Sequence, residues 1–297
     1  MTGDKKLPRA VVLRINKCLR NESNVLDLSG TPLEVLPGQL RELTHLRELR
    51  LNLTGIPEQL GDLTALTHLR LGGELTSLPD SLGHLTALTS LDLSGNRLTE
   101  IPEWLGDLTA LERLYLERNQ LVSLPDSLGD LTALKYLYLG INRLTSIPDS
   151  VGNLTSLTEL ILSKNQLTEI PDSLGDLTAL KYLYLGINRL TSIPDSVGDL
   201  TALTSLFLES NQLTEIPGSL GDLTALKRLF LGYNRLTSLP GSLGNLTALT
   251  ELYLEGNQLT EIPDSLANLT ALTRFRLDSD LLAGLPESLR RRAKALR

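Results

Sequence analysis

Few residues in this chain are typed and spaced for chemistry. Its only histidines, His45, His68 and His84, lie in separate segments. Nothing beside them converges as a metal site or a nucleophile–base pair requires, so all three read as surface residues. The single cysteine, Cys18, has no His or Asp marking a nearby partner and reads as a buried structural thiol. No G-x-x-x-x-G-K-S/T loop is present to cradle a phosphate. We therefore expect no catalytic residue, no cofactor and no metal.

What stands out is a set of side chains suited to contact. The residue enclosed by successive L-x-L pairs (F-x-L at the end) is Asp27, Arg50, Arg70, Asp92, Tyr115, Tyr138, Ile161, Tyr184, Phe207, Phe230, Tyr253 and Arg276. Beside this line lie Tyr136, Tyr182 and Tyr233, together with Arg113 and Arg228. If each L-x-L is an extended segment with its leucines turned inward, the enclosed residue faces out. All seven tyrosines and two of the three phenylalanines then share one face. Tyr and Arg are favoured interface anchors, because they combine contact area with polar tips. Aromatics also suit strands and stack on one another, but that does not explain why no tyrosine lies elsewhere. The candidate partner-binding set is Arg113, Tyr115, Tyr136, Tyr138, Ile161, Tyr182, Tyr184, Phe207, Arg228, Phe230, Tyr233, Tyr253 and Arg276.

The elements that position these residues follow from an internal period. From Leu88 onward the pattern L-x-x-L-x-L-x-x-N-x-L-T-x-I/L-P-x-x-L-G-x-L-T-x returns every 23 residues. A short fixed period means a solenoid, since one unit cannot bury its apolar side without its neighbours. In residues 88–110, Leu91 and Leu93 belong on the inner face of a short strand, with Ser90, Asp92 and Ser94 outside. Asn96 follows and recurs as Asn119, Asn142, Asn165, Asn188, Asn211, Asn234 and Asn257. A side-chain amide both donates and accepts, so this column reads as an internal hydrogen-bond ladder rather than a ligand site. The return path P-x-x-L-G-x-L is too short for a long helix and reads as one irregular or helical turn.

On these motifs the chain resembles the leucine-rich repeat family, over about residues 24–290. The L-T-x-I-P-x-x-L-G-x-L-T form is similar to intracellular repeat proteins of bacteria, the plant Ras-group-related type and the repeat arms of Roco GTPases. The resemblance implies an α/β architecture: a right-handed solenoid, or horseshoe, with a parallel β-sheet on the concave face and irregular or short helical turns on the convex face. It also implies a protein or peptide ligand on the concave sheet. The function expected is a non-enzymatic protein-binding scaffold with an aromatic, mildly basic concave surface. The alternative is the recognition arm of a larger signalling enzyme or effector, a GTPase or ubiquitin ligase whose catalytic domain lies elsewhere.

The ends and the early repeats depart from the pattern. Val12, Ile15 and Leu19 stand at helical spacing after Pro8, which suggests an amphipathic cap over residues 1–23. About 12 repeats fill residues 24–286, and 287–297 read as a basic closing helix. Successive first leucines, Leu46, Leu66 and Leu88, mark two shortened repeats, with the deletions in the turn after the strand. Residues 125–152 and 171–198 are identical, and Asn-Arg repeats alternate with Asn-Gln repeats, so the duplicated unit spans two repeats.

Charge and composition narrow the classes further. A net charge of -7 with no basic domain argues against nucleic acid as a partner. Lys and Arg fall near the strands while Asp fills the return segments, so an acidic outer face is expected. No stretch of about 18 apolar residues is present to span a membrane. The N-terminus lacks the apolar run of a secretory signal, and one cysteine gives no disulfide framework. These features together suggest a cytoplasmic protein.

Overall fold

Seven apolar side chains of each full repeat are drawn inward, and their spacing dictates the rest. In residues 180–202, Leu180, Leu183, Leu185, Leu190, Val197 and Leu200 are fully buried and Ile193 nearly so. Leu183 and Leu185 are two apart, which fixes a strand with one wet face. Pro194 then enters a five-residue 3-10 turn, Asp195–Asp199, in an extended conformation. The computed structural model describes residues 8–33, 38–285, 287, 289 and 290. The basic closing helix expected over 287–297 lies almost wholly outside the described residues.

The chain forms two compact units, Met1–Tyr138 and Leu139–Arg297, and in each the strands of the described residues run parallel in chain order. The first holds β1 (Val25–Asp27), β2 (Glu48–Asn52), β3 (His68–Gly72), β4 (Ser90–Asp92), β5 (Arg113–Tyr115) and β6 (Tyr136–Tyr138). The second holds β7 (Glu159–Ile161), β8 (Tyr182–Tyr184), β9 (Ser205–Phe207), β10 (Arg228–Phe230), β11 (Glu251–Tyr253) and β12 (Arg274–Arg276). Within each unit every strand pairs with the next, in register. Leu183 lies beside Leu206, for example, and Leu206 beside Leu229. Away from the strands, 3-10 turns pack on the turn of the following repeat within each unit, from Glu58–Asp62 to Asp126–Asp130 in the first and from Asp149–Asn153 to Asp264–Asn268 in the second.

Two columns of polar or small residues hold the stacking. In the first, Asn188 Oδ1 accepts from the Leu167 amide at 3.1 Å, and its Nδ2 donates to the Leu162 and Leu185 carbonyls at 3.0 Å. Asn165, Asn211 and Asn234 repeat this geometry. The amide thus satisfies backbone groups that the three-residue strand leaves behind. In the second column the glycine of L-G meets the serine of the next repeat. A methyl group on Gly198 would sit 2.7 Å from both Cβ and the carbonyl oxygen of Ser219. Glycine is there for close approach, not for an unusual backbone angle.

The N-terminal helix α1 (Arg9–Asn21) buries Val11, Ile15 and Cys18. The spacing i, i+4, i+7 selects these rather than the Val12–Ile15–Leu19 set expected from the sequence, of which only Ile15 is fully buried. The Cys18 thiol donates to the Ser23 carbonyl at 3.2 Å, and burial pushes its pKa up. Arg14 ties the helix to β1 through the Asp27 carbonyl at 2.9 Å. In the two shortened repeats the missing turn residues are absorbed by longer strands. β2 and β3 have five residues each and stay paired to Asn52 and Gly72.

Candidate binding face

In the second unit, in-register pairing makes the outward residues a column. Neighbouring strands lie about 4.8 Å apart, so rings at one repeat position must meet. Tyr184 and Phe207 stack at 4.5 Å with 4° between their planes, and Phe230 and Tyr253 stack at 4.2 Å with 10°. Phe207 and Phe230 join the two pairs at 4.7 Å with a 34° tilt. The Arg276 guanidinium lies 5.8 Å from the Tyr253 ring centre and closes the column. Arg228 sits 6.0 Å from the Phe207 ring, held by a 2.9 Å bond from its Nε to Ser205 Oγ. Ring faces are used for stacking, so the rims are what the half-buried column presents to a ligand. Those rims carry the positive edge of the ring quadrupole and suit apolar groups and acceptors.

The first unit carries a smaller aromatic group. Tyr115 and Tyr138 meet edge to face at 5.0 Å, and Arg113 lies 5.9 Å from the Tyr136 ring. Burial pushes the phenol pKa of both Tyr115 and Tyr184 up. Toward β1 the outward line becomes charged. Arg50 bonds Glu48 at 2.6 Å and Arg70 bonds Asp92 at 3.2 Å; both pairs open to solvent on the arginine side and contribute little to stability.

Of the sequence-derived set, Arg113, Tyr115, Tyr136, Tyr138, Ile161, Tyr182, Tyr184, Phe207, Arg228, Phe230 and Tyr253 are half-buried on strands, and Arg276 is exposed on β12. Tyr233 is placed differently. It lies beyond the end of β10, with φ 57° and 62% of its surface exposed. The residue before each ladder Asn turns left-handed and lies past the end of its strand. Gly95 and Gly256, which occupy the same position, were the sequence signal for that turn.

The face also holds acids. Glu117, Glu209 and Glu255 follow the aromatic position by two residues, and each has its Oε2 buried without a hydrogen-bond partner. Burial raises the carboxyl pKa of Glu117 and Glu209. Among the histidines, His68 and His84 are exposed, but His45 is half-buried with its Nε2 shielded and unpartnered. His45 thus lies at the surface but is less exposed than the other two. Among the described residues no group of three or more His, Cys, Asp or Glu is placed to hold a metal ion. Nor is any described helix long and apolar enough to cross a membrane.

Comparison with known proteins agrees with this geometry. A family model described as a leucine-rich repeat region matches residues 77–183, 123–231 and 165–283. A leucine-rich repeat protein of Leptospira interrogans is similar at 34% identity and a TM-score of 0.83, over 88% of this chain and 68% of that one. An internalin, InlF of Listeria monocytogenes, is similar at 26% identity and a TM-score of 0.70, over 89% of this chain and 87% of that one. A plant peptide hormone receptor, RGFR1, solved in complex with RGF2, is similar at 28% identity and a TM-score of 0.57, over 83% of this chain and 49% of that one. No curated protein matches the sequence. The family match covers more than half the chain and coincides with the parallel strands, the asparagine ladder and the 3-10 turns: this chain belongs to the leucine-rich repeat family, whose solenoids serve protein–protein binding.

Proposed function

We propose that this chain is a non-enzymatic binding module in the cytoplasm that takes a protein or peptide on its strand face. The observation that carries this reading is the column Tyr184–Phe207–Phe230–Tyr253, ended by Arg276. These large side chains stay partly exposed on the rigid wet side of the strands, while leucine supplies the core. Contiguous apolar surface of this kind marks interaction sites, and aromatic and Arg residues dominate the binding energy of interfaces. A structural neighbour that is a peptide hormone receptor in complex with its ligand supports the same use. Arg113, Arg228 and Arg276 favour a ligand with acceptors or carboxylates, tempered by Glu117, Glu209 and Glu255. The charges would chiefly set association rate and partner choice.

The test compares the wild-type chain with a variant in which Tyr138, Tyr184, Phe207 and Tyr253 are changed to Ser. Circular dichroism should show both folded, whereas Leu183→Ala, at a fully buried site, should cost about 2–5 kcal/mol. Each folded bait is then used to capture partners from the source cytosol, and each captured partner is purified and titrated. A partner that binds wild type and loses affinity for the four-site variant supports the reading. Equal affinity for both moves the site off the strand face and overturns it.

A further inference from the structure

The residues just before the ladder asparagines form a second row, distinct from the strand face. In the second unit this row is Ile141, Lys164, Ile187, Ser210, Tyr233 and Gly256, and all six have φ between 57° and 71°. The left-handed region suits glycine; for a β-branched residue it is a true outlier. Yet isoleucine stands there twice, 41% exposed at Ile141 and 48% at Ile187, with Tyr233 62% exposed in the third place. These apolar side chains carry backbone strain and gain little burial within their own chain. Backbone strain of this kind clusters at binding sites.

We infer that Ile141, Ile187 and Tyr233 form a docking row for an acidic amphipathic α-helix of a partner protein, separate from the aromatic column. The spacing favours a helix. The row stays hydrogen-bonded from repeat to repeat, as in Ile187 N–H to the Glu209 carbonyl at 2.8 Å and Tyr233 N–H to the Glu255 carbonyl at 2.7 Å. It therefore advances by the strand spacing, and every second residue lies about 9.6 Å further on. Apolar residues seven apart on an α-helix advance about 10.5 Å and share one face. An extended peptide repeats its same-face side chains about every 6.7 Å and misses the row. Between Ile187 and Tyr233 the row carries the small Ser210, between Ile141 and Ile187 it carries Lys164, a further cation, and beyond Ser210 the Tyr233 ring leans over Gly256, where a Cβ would meet it at 2.7 Å.

Charge sets the flank. Each apolar residue is followed two positions later by an exposed arginine: Arg143, Arg189 and Arg235. Among the described residues none of the three is in an ion pair, whereas Arg97, at the same repeat position, bonds Glu74 at 2.7 Å. A helix laid along the row would set acidic residues beside its apolar stripe against these guanidinium groups.

The experiment uses the full chain and a defined probe: a labelled helical peptide with Leu at every seventh position, Glu three residues before each Leu, and Ala or Gln elsewhere. A control peptide of the same composition carries Leu at every fifth position, which scatters it around the helix. The protein variant is Ile141→Gly, Ile187→Gly and Tyr233→Gly together. Glycine is at home at these angles, so the variant should unfold at an equal or higher temperature. Fluorescence anisotropy should show saturable binding of the heptad peptide to wild type. Binding should fall by about tenfold or more in the glycine variant and stay unchanged in a Tyr184→Ser, Phe207→Ser, Tyr253→Ser variant. The inference is overturned by absence of saturable binding, by equal binding of the two peptides, or by loss in the strand-face variant alone. Sedimentation showing a wild-type dimer that the glycine variant abolishes would assign the row to a second copy instead, and also overturns it.

Discussion

Changing Asn188 to Ala tests whether the amide ladder holds the repeats together. Three hydrogen bonds are removed in a buried site: Leu167 N–H to Oδ1, and Nδ2 to the Leu162 and Leu185 carbonyls. The losses differ in kind. The Leu162 carbonyl keeps its bond from Asn165 at 2.9 Å, and the Leu185 carbonyl keeps its bond from Asn211 at 3.0 Å. The Leu167 amide has no second acceptor and is stranded. A stranded buried donor costs about 1–3 kcal/mol and each lost neutral bond about 0.5–1.5 kcal/mol, so the total is about 2–6 kcal/mol. Repeat arrays couple mainly to nearest neighbours, so damage should centre on the repeats around residue 188. Urea unfolding followed by circular dichroism gives the total, and amide exchange at Leu167 gives the location. At Asn257 the same three bonds are made but the side chain is only part-buried. Water can reach the groups left there, and Asn257→Ala should cost less. A loss below about 1 kcal/mol at position 188, less than a single stranded donor, or unchanged exchange at Leu167, would refute the ladder as a source of stability.

Two further substitutions test the packing and the buried acids. Gly198→Ala places a methyl group 2.7 Å from Ser219 and should lower stability by about 1–3 kcal/mol through overpacking. Gly218→Ala meets only Ser242 Oγ at 3.8 Å and should be neutral or stabilising by about 0.4–1 kcal/mol; thermal melts of the pair read the difference. Burial raises the folded pKa of Glu209, so the folded state holds that proton more tightly than the unfolded one. Stability should fall as pH rises from the unfolded value through the folded value, and the penalty is complete above both. Glu209→Gln should therefore stabilise the protein at neutral pH, with the gain vanishing in acid. A gain independent of pH in melts across that range would contradict burial of the charge.

The repeat made most of the scaffold legible. A leucine that returns every 23 residues can be buried only by stacking, so Leu183, Leu185 and Leu200 had one place to go. The asparagine column was legible for a similar reason, because a buried amide must find backbone partners. The return segment showed its length but not its form; the 3-10 turn follows from backbone geometry after the extended proline. The aromatic face was legible because residues alternate on a strand. Its stacking angles were not, since rings settle against neighbours 23 residues away.

What only the tertiary structure decided lies where local pattern and backbone angle part. The residue before each ladder Asn is left-handed whether it is Gly256, Tyr233 or Ile187, because the ladder bonds on either side impose the angle. That placed Tyr233 past the end of its strand and left Ile141 and Ile187 exposed two residues before arginines that, among the described residues, form no ion pair. Burial of the Glu209 carboxylate and of His45 Nε2 likewise depends on what the neighbouring repeats place over them. Period and polarity specify which side of a repeat a residue faces; the angle at which it leaves the backbone, and what covers it, are set only when the repeats stack.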